Sequence, residues 1–563
     1  MRRVILCFVV CSVMAAFALS QSSSRTGRTK KLYTGALPPG AMAAIHDVND
    51  ARIKADIRFL SSDLLEGRGT GARGGDIAAR YIATQFELAG LKPAGENGDY
   101  LQKVPMIGID TAPESTLSVT TPTGTMQLKQ LDDCVLMDET QRPQSDVNAD
   151  VLFMGYGITA PEYNWDDYAG VDVKGKVLLM LVNEPPSEDE SFFKGKALTY
   201  YGRWTYKYEH AAKMGAAGVI LIHRTDMASY GWDVVRSSWS GERSYLRGDK
   251  NPKLSLAAWV QLEVARKILA ATGKDVDQLI KSAQQRGFKP FALPLKVQAH
   301  IVNRVRPFDS FNVVGKLEGG DPKLKDEGVI ISAHFDHLGI RPEMRGDNIY
   351  NGALDNASGT AMLMEMARAA ASASEKPKRS IFFAAVTGEE QGLLGSEYLG
   401  QHPPIPNDNI SLNINFDSIA PLGIPKEVSA SGYERTTFSP IFEKTAADFG
   451  MSIQPPAHPE SGGYYRSDHF SFARVGVPAF SVNTGGRFEG HEESWVKERL
   501  KKNEENYHQP SDQFQEDGDY KTDGVMSRFG LALAWQAANT PNLVQWRHGD
   551  EFEPQRKVAA GHQ

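Results

Sequence analysis

Cysteine is scarce in this sequence, with only three among 563 residues. Cys7 and Cys11 lie in the first twenty residues, which read as a removable leader, so Cys134 would remain alone. A single thiol excludes a framework of disulfides and a zinc site made of four thiolates. Any metal site in this chain must therefore be built from histidine and carboxylates.

An excess of positive charge is also missing. The formal net charge is −7 and the pI is near 6.1. The chain therefore lacks the positive electrostatic potential that attracts nucleic acid, and no nucleic-acid partner is expected. The composition, 41% hydrophobic and 23% charged, is that of an ordinary globular protein. At this length, two or three domains are expected, because a single hydrophobic core rarely organises so long a chain.

Long apolar runs are absent except at the N-terminus. Two arginines precede the apolar run 4–19, and small residues follow it, with cleavage expected after Ala18 or Ser20. This pattern predicts a secretory signal peptide over residues 1–20, since the run is short for a membrane span. We expect a secreted or periplasmic protein with no stable membrane insertion after signal removal; an uncleaved anchor helix is the alternative.

Changes in the pattern of apolar and polar residues divide the rest of the chain into segments. After residue 300 strand and helix patterns alternate, which favours an α/β fold with a mixed, mostly parallel, doubly wound sheet. In the preceding unit, the apolar runs 177–182 and 218–222 are typical of buried strands. The predicted segments are a linker (21–43), the N-terminal part of the α/β domain (44–132), an inserted, mainly β unit (133–300), the main part of the α/β domain (301–540) and a surface tail (541–563).

A glycine-rich stretch near residue 70 has the spacing of a dinucleotide-binding motif. Gly69, Gly71 and Gly74 satisfy the GxGxxG pattern, but the motif requires a strand directly before it, and LSSDLLEGR precedes it here. We therefore predict a loop that leads into a helix, with Asp76 as its cap and Gly90 as its stop.

Acidic and histidine residues follow several of the predicted strands, where ligands bind in sheets of this kind. Two imidazoles and three carboxylates suffice for two divalent ions if one carboxylate bridges them. Glu389 cannot easily point to the same place as its neighbour Glu390, so it is free to act as a base. The candidate metal ligands are His334, Asp355, Glu390, Asp417 and His508.

Each of these residues has a structural alternative. A lone histidine after a strand is more often hydrogen-bonded than metal-bound, and the pair Glu389-Glu390 could be a solvated turn, although unpaired carboxylates at a buried strand end are costly. His508 ends a run of charged residues that would usually form a solvent-exposed face, and His491 is the alternative ligand for its position. The remaining histidines of this half are interpreted as supporting or structural: His337, His402, His458 and His469.

The motifs AHFDH, GALDNASG, TGEEQGLLGS and NFDSIA, followed by a late histidine after an aromatic residue, occur in this order. With them the sequence resembles the M28 family of zinc aminopeptidases over roughly residues 45–130 and 300–540. The unit 133–300 resembles a protease-associated (PA) domain, in which a helix ending in glycine is followed by an AAGVILI-like strand. The resemblance implies a zinc-exopeptidase fold with an inserted PA domain.

The resemblance also implies a ligand set for two Zn²⁺ ions. His334 and Asp417 would hold one ion and Glu390 and His508 the other, with Asp355 bridging them. Five ligand positions are thereby matched without a replacement.

Further roles carried over from the family lie next to these ligands. Glu389 would be the general acid/base, and Asp336 would orient the first imidazole. Asn356 follows the bridging aspartate, at a peptide bond that is often cis in the family. A tyrosine before SDHFSF would stabilise the oxyanion, and we predict Tyr464 rather than Tyr465.

The function that the resemblance implies is removal of N-terminal residues from peptides with a free N-terminus by a secreted, monomeric enzyme with two zinc ions. A carboxypeptidase acting on acidic dipeptides or C-termini is the nearest alternative, although no residues remain for the helical dimerisation domain of that type. A single-zinc glutaminyl cyclase disagrees with the full ligand set. A receptor-like binding protein of the same fold would be expected to have lost ligands.

Overall fold

The structure, a computed structural model, describes residues 33–560 except 229, 343, 456 and 457. The predicted signal peptide and residues 21–32 of the predicted linker lie outside the described residues. Within the described part of the chain, no helix combines the length and hydropathy that crossing a membrane requires.

The order of helices and strands follows the sequence pattern. The chain begins with α1 (Pro39–Asp47), α2 (Asp50–Leu60), α3 (Arg73–Leu88), β1 (Lys92–Pro93) and β2 (Leu101–Thr111). The middle part contains β3 (Thr116–Thr121), β4 (Gly124–Leu128), β5 (Cys134–Met137), β6 (Gln144–Phe153), β7 (Thr159–Ala160), β8 (Trp165–Asp166), β9 (Val177–Leu181), α4 (Trp204–Lys213), β10 (Gly218–His223), α5 (Thr225–Ala228), α6 (Trp232–Ser238), β11 (Arg243–Leu246), β12 (Leu256–Gln261), α7 (Leu262–Ala270) and α8 (Val276–Ala283).

The last part of the chain starts with a long strand and ends with a short helix. It contains β13 (Phe291–Leu317), β14 (Gly328–His334), β15 (Gly339–Ile340), β16 (Ile349–Tyr350), α9 (Gly359–Ser372), β17 (Ser380–Val386), α10 (Leu394–Gln401), β18 (Ile410–Phe416), β19 (Glu427–Ser431), α11 (Ser439–Asp448), β20 (Ser452–Ile453), α12 (His469–Arg474), β21 (Ala479–Thr484), α13 (Glu493–Asn506), α14 (Lys521–Asn539) and α15 (Glu553–Ala560).

The predicted mixed α/β sheet is confirmed. β14 lies between β17 and β18 and is parallel to both, and β21 extends the parallel set beyond β18. β13 and β19 flank the set in antiparallel orientation. The strands of the set are buried on both faces, which explains why they read as uninterrupted apolar runs.

Apolar helices cover the two faces of this sheet. On one face α9 and α14 pack with Ile331 and Phe383 in the largest hydrophobic cluster. On the other face Leu399 of α10 and Phe472 of α12 pack against Phe382. The alternating residues of β17 therefore point to opposite cores, as strand geometry requires.

The middle part of the chain has a sheet of its own, joined to the first by β13. Residues 296–300 of β13 pair with both β3 and β6, whereas residues 303–313 pair with β2 of the main sheet. The strands of this second sheet begin at Thr116, before the predicted start of the insertion at residue 133. β11 also belongs to the middle part of the chain, but it pairs with β2 of the main sheet.

Two segments predicted as linker and surface tail are packed where the structure describes them. Tyr33 is buried against Phe449, and α1 begins at Pro39, inside the predicted linker. After Thr540 the chain buries Trp546 and Phe552. Burial of these two side chains was not expected for a surface tail, because isolated aromatic residues in a polar stretch carry no periodic signal, although each can anchor the chain on the fold.

Candidate metal centre

The candidate ligands converge because parallel strands present their carboxyl ends at one edge of the sheet. His334 is the last residue of β14, and Asp417 follows β18 directly. Glu389 and Glu390 lie in the turn between β17 and α10. The three neighbouring strands therefore bring these four side chains to the same edge.

His334 lies at the centre of the group and is fully buried. Its Nε2 is 3.2 Å from Oδ1 of Asp355 and 3.4 Å from Oδ1 of Asp417. Its Nδ1 lies 3.2 Å from the carbonyl oxygen of Asp336, on the opposite side of the ring. The main chain therefore fixes the ring so that Nε2 faces the carboxylates.

Asp355 reaches the same point from a tight turn between β16 and α9. Its peptide bond to Asn356 is cis. The peptide N–H groups of Leu354 and Asp355 donate to the carboxylate of Asp512 at 3.0 Å. Gly352 begins this turn with φ +56°, and a Cβ there would meet the ring of His337 at 2.6 Å. The turn thus depends on a residue without a side chain.

A second group forms on the other side of Asp355. Nε2 of His508 is 3.3 Å from Oδ2 of Asp355 and 3.0 Å from Oε2 of Glu390. Nδ1 of His337 is 2.6 Å from Oε1 of Glu390. Asp355 thus turns one oxygen toward His334 and the other toward His508, which is the arrangement of a bridging carboxylate.

This donor chemistry fits divalent metal ions. Imidazole nitrogens and carboxylate oxygens of three residues lie within 4.8 Å of one another in more than one combination. Among the described residues, these combinations are His334 with Asp355 and Asp417, His337 with Asp355 and Glu390, and His334 with Glu389 and Glu390. Such mixed N and O donors suit zinc. His337, which the sequence analysis assigned to a supporting role, is close enough to compete with His508 as a ligand.

The electrostatics of the site are those of a crowded acidic cluster. Burial alone would lower the pKa of His334, but Glu389 and Asp417 outweigh it and hold that pKa well above its ordinary value. Burial likewise opposes the charge of His508, yet the close carboxylates of Asp355 and Glu390 raise its pKa to about 10. The carboxylates therefore attract positive charge to the positions that metal ions would occupy.

Glu389 differs from the other carboxylates of the site. Burial, reinforced by the negative charges of Glu390 and Asp417, raises its pKa well above the ordinary value. Its peptide N–H donates to Oδ1 of Asp336 at 3.2 Å, while Thr70 donates to Oδ2 of the same aspartate at 2.9 Å. Asp336 therefore links the strand end that carries His334 to the turn that carries Glu389.

The prediction that Tyr464 faces the site is wrong. Its hydroxyl donates to the carbonyl of Ala479 at 3.2 Å, and Ala479 pairs with Asn413, four residues before Asp417 along β18. The alternative, Tyr465, donates to Glu551 instead. Both rings are buried by the C-terminal segment that the sequence analysis treated as a tail.

Tyr507 is the phenol that borders the metal centre. Its ring stacks on His508 with centroids 3.8 Å apart, and half of its surface is exposed. Sequence reasoning missed it because it lies in a charged helical run. His491, the alternative ligand, stacks on Trp495 with ring centroids 3.9 Å apart, so its imidazole packs against this ring rather than among the candidate ligands.

Arg68 is a further residue that sequence reasoning missed. Its guanidinium is fully buried and donates to main-chain carbonyls of Leu60, Phe335, Asn351 and Gly352 at 2.5–2.8 Å. Phe335 follows His334 directly, and Gly352 begins the turn that carries Asp355. The sequence feature that could have indicated this role is the glycine-rich stretch EGRGTG, because its glycines let the loop approach residues 337–339 closely.

Arg68→Met is expected to lower the free energy of unfolding by about 3 kcal/mol or more, because each buried acceptor left without a donor costs about 1–3 kcal/mol. Urea unfolding followed by circular dichroism measures the change. Arg73→Met is the matched control, since Arg73 is exposed and forms a surface ion pair with Glu66. Equal stability of the two variants would contradict this role of Arg68.

Comparison with protein families supports the interpretation of the C-terminal half. Residues 312–533 match the family model described as Peptidase family M28. The matched range contains all five predicted metal ligands and Glu389. It covers less than half of the chain and leaves the second sheet outside the match.

Two relatives align with parts of the chain. Leupeptin-inactivating enzyme 1 of Streptomyces exfoliatus is 31% identical over 183 residues, which cover 32% of this chain and 36% of the relative. The probable leucine aminopeptidase 2 of Aspergillus oryzae is 27% identical over 356 residues, covering 62% and 58%. The chain thus aligns with about a third to three-fifths of the length of these relatives.

A solved structure covers almost the whole chain. The aminopeptidase from Aneurinibacillus sp. strain AM-1 matches with a TM-score of 0.50 over 89% of this chain and 97% of that chain, at 19% identity. At this identity the likeness concerns the fold, and it extends over the second sheet as well as the main one.

Proposed function

We propose that this protein is an exported zinc aminopeptidase that removes single residues from the free N-terminus of peptides. The observation that carries the proposal is the position of Asp355, whose two oxygens face His334 on one side and His508 on the other. A bridging carboxylate between two imidazoles is what a pair of zinc ions about 3.5–4 Å apart requires. The family match of residues 312–533 and the aminopeptidase relatives support the same conclusion.

His334 and Asp417 would hold one zinc ion and Glu390 and His508 the other, with Asp355 shared. When bound, the ions supply Lewis-acid chemistry: they acidify a water molecule and polarise the scissile carbonyl. Asp336 and Asp512 would serve as the outer partners that keep His334 and Asp355 in place. His337 would hold Glu390 through its hydrogen bond rather than bind a metal itself.

Glu389 is the residue that would move the proton. Its side chain makes no hydrogen bond to a described residue, and burial together with the negative charges of Glu390 and Asp417 favours its protonated form. Glu389 would therefore take a proton from water and return it to the leaving amine. The backbone link from Glu389 to Asp336 fixes its position relative to His334. Tyr507, rather than Tyr464, would donate to the developing oxyanion.

A cavity of about 370 Å³ adjoins the metal centre at Asp355 and would receive the side chain of the N-terminal residue. Its wall combines the apolar residues Leu354, Ala420 and Leu500 with polar groups such as Gln454 and Asn503. A pocket of this size at the bridging carboxylate suits an enzyme that removes one residue at a time.

The experiment that tests the proposal uses purified protein and a peptide of four different residues, with products identified by mass spectrometry. We expect stepwise loss of residues from the N-terminus, abolition of cleavage by a chelator, and recovery on addition of zinc. Cleavage that survives the chelator would contradict the proposal, and so would release of the C-terminal residue first.

A further inference from the structure

The cavity beside Asp355 is lined by groups that can form hydrogen bonds and by no basic residue in the part of the chain that the structure describes. Asn503 reaches it from α13, Ser429 from β19, and Gln454 from the segment directly after β20. The hydrogen-bonding state of these side chains therefore decides which side chain of a substrate fits best.

Gln454 supplies a hydrogen-bond donor to this wall. Its Oε1 accepts from the peptide N–H of Gly486 at 2.7 Å, so the main chain holds the oxygen end of the amide. A Cβ at Gly485 would come within 2.7 Å of the same oxygen, and the glycine leaves room for it. The other end, Nε2, has two N–H groups and donates to no described residue. Gln454 thus has a fixed orientation and an unused donor.

Asn503 supplies a second donor. Its Nδ2 is buried and has no hydrogen-bond partner among the described residues. Such a group is rare in folded proteins, because a buried donor without an acceptor is costly. Asn483 lines the same cavity and shows the usual arrangement: its Nδ2 donates to the carbonyl oxygen of Asp417 at 2.9 Å, and its Oδ1 accepts from the N–H of Thr484 at 2.7 Å. An acceptor on a bound molecule would give Asn503 the partner that it lacks.

The charged residues that line the cavity are all acidic: Asp355, Glu504 and Asp512. Asp355 faces the two imidazoles and Asp512 holds its turn, whereas Glu504 is exposed and forms no ion pair with a described residue. An acidic side chain in the cavity would meet these three carboxylates and no cation to neutralise it. A substrate side chain with a negative charge is therefore disfavoured.

The remaining classes of side chain differ in how they meet the two donors. A lysine ammonium has only donors of its own, so it cannot accept from Gln454 or Asn503. A leucine would leave both donors without a partner. The carbonyl oxygen of a side-chain amide can accept from both, and its NH₂ group can donate to Glu504 or to the hydroxyl of Ser429. An amide is therefore the group that complements this wall.

We propose that the cavity selects peptides whose first residue is asparagine or glutamine, with Gln454 and Asn503 as the residues that determine this specificity. The inference rests on the proposed function, because the side chain of the first residue enters the cavity when the scissile bond lies at the metal centre. The apolar part of the wall contacts the methylene groups, and the two donors bind the carbonyl oxygen.

Asn-Ala-Ala and Leu-Ala-Ala test the proposal, because their first side chains have nearly the same shape. We expect kcat/KM for Asn-Ala-Ala to be higher by at least about tenfold, since a site built to form hydrogen bonds rejects an analogue that cannot form them. Asp-Ala-Ala and Lys-Ala-Ala should be poorer substrates than Asn-Ala-Ala. A kcat/KM for Leu-Ala-Ala equal to or above that for Asn-Ala-Ala would overturn the proposal.

Gln454→Glu is the sharpest variant, because the carboxylate keeps an acceptor for the N–H of Gly486 and replaces the unused donor with an acceptor. It should bring the ratio of kcat/KM for Asn-Ala-Ala and Leu-Ala-Ala toward one and raise the relative rate with Lys-Ala-Ala. Asn503→Leu should lower the same ratio. Gln285→Met changes an exposed glutamine of the insertion and should leave the ratio unchanged. A ratio that neither cavity variant alters would contradict the assigned roles.

Binding to the Glu389→Gln protein tests the selectivity without turnover. Asn-Ala-Ala should raise the melting temperature of this protein more than Leu-Ala-Ala does, and adding Gln454→Glu should remove the difference. Equal or reversed stabilisation, with hydrolysis of both peptides by the unchanged protein, would overturn the amide selectivity and leave the aminopeptidase proposal standing. Absence of hydrolysis of every tripeptide, with the binding difference retained, would support the selectivity and contradict the aminopeptidase proposal.

Discussion

Glu389→Gln is expected to lower kcat by about 10²–10⁴-fold, the usual contribution of a positioned acid–base group, and to leave zinc content and KM nearly unchanged. The amide cannot accept a proton from water, yet it has the same shape and keeps the turn after β17 in place, because the contact to Asp336 comes from the backbone N–H. Steady-state kinetics with Leu-Ala and metal analysis of the same sample measure both quantities.

The control for this variant is Glu492→Gln, which removes an exposed carboxylate just before α13. It should have the activity of the unchanged protein. A Glu389→Gln protein with near-normal kcat would remove the base from the mechanism and leave Asp336 and the metal ligands to explain catalysis.

Asp355→Ala is expected to remove both zinc ions and to lower kcat/KM by at least about 100-fold. Mutation of a residue that only supports a metal ligand commonly lowers metal affinity or activity by about 10–100-fold, and loss of a ligand shared by two ions should have a larger effect. The effect should exceed that of removing a ligand of one ion, such as Asp417→Ala. Burial would raise the pKa of Asp355, but the imidazoles of His334 and His508 close to its two oxygens hold that pKa well below the ordinary value, which favours the charged form that binds a metal. Zinc per chain after dialysis is the decisive quantity.

Asp326→Ala is the matched control, since Asp326 is exposed on the loop before β14. It should retain zinc and activity. An Asp355→Ala protein that keeps two zinc ions per chain would contradict the bridging role, and a competing role for His337 would then have to be tested by His337→Ala.

Much of the fold could be predicted because its strands are buried on both faces. The runs at β14, β17 and β18 are uninterrupted and apolar, and the polar residues that follow them stand at the strand ends where a parallel sheet places its ligands. His334, Glu390 and Asp417 could therefore be read from position alone. His508 lies in no such pattern, and only the resemblance to a family indicated it.

Apart from Asp336, the residues that support the site could not be predicted, because their partners are distant in sequence. Arg68 contacts carbonyls more than 260 residues away, and Asp512 holds the turn of Asp355 from a loop 157 residues further along. The prediction for Tyr464 was wrong for the same reason. Its ring packs with Arg435 and Phe552, which are distant in sequence, and no local pattern predicts this cluster. Such contacts follow from tertiary packing, which local propensity does not determine.

An aminopeptidase of this kind would require a free amino group next to the scissile bond. The decisive test compares one tripeptide with and without an N-terminal acetyl group, on zinc-loaded protein with and without chelator. We expect the free peptide to lose its first residue only when zinc is present and the acetylated peptide to stay intact. Release of the C-terminal residue from the acetylated peptide would contradict it and indicate a carboxypeptidase.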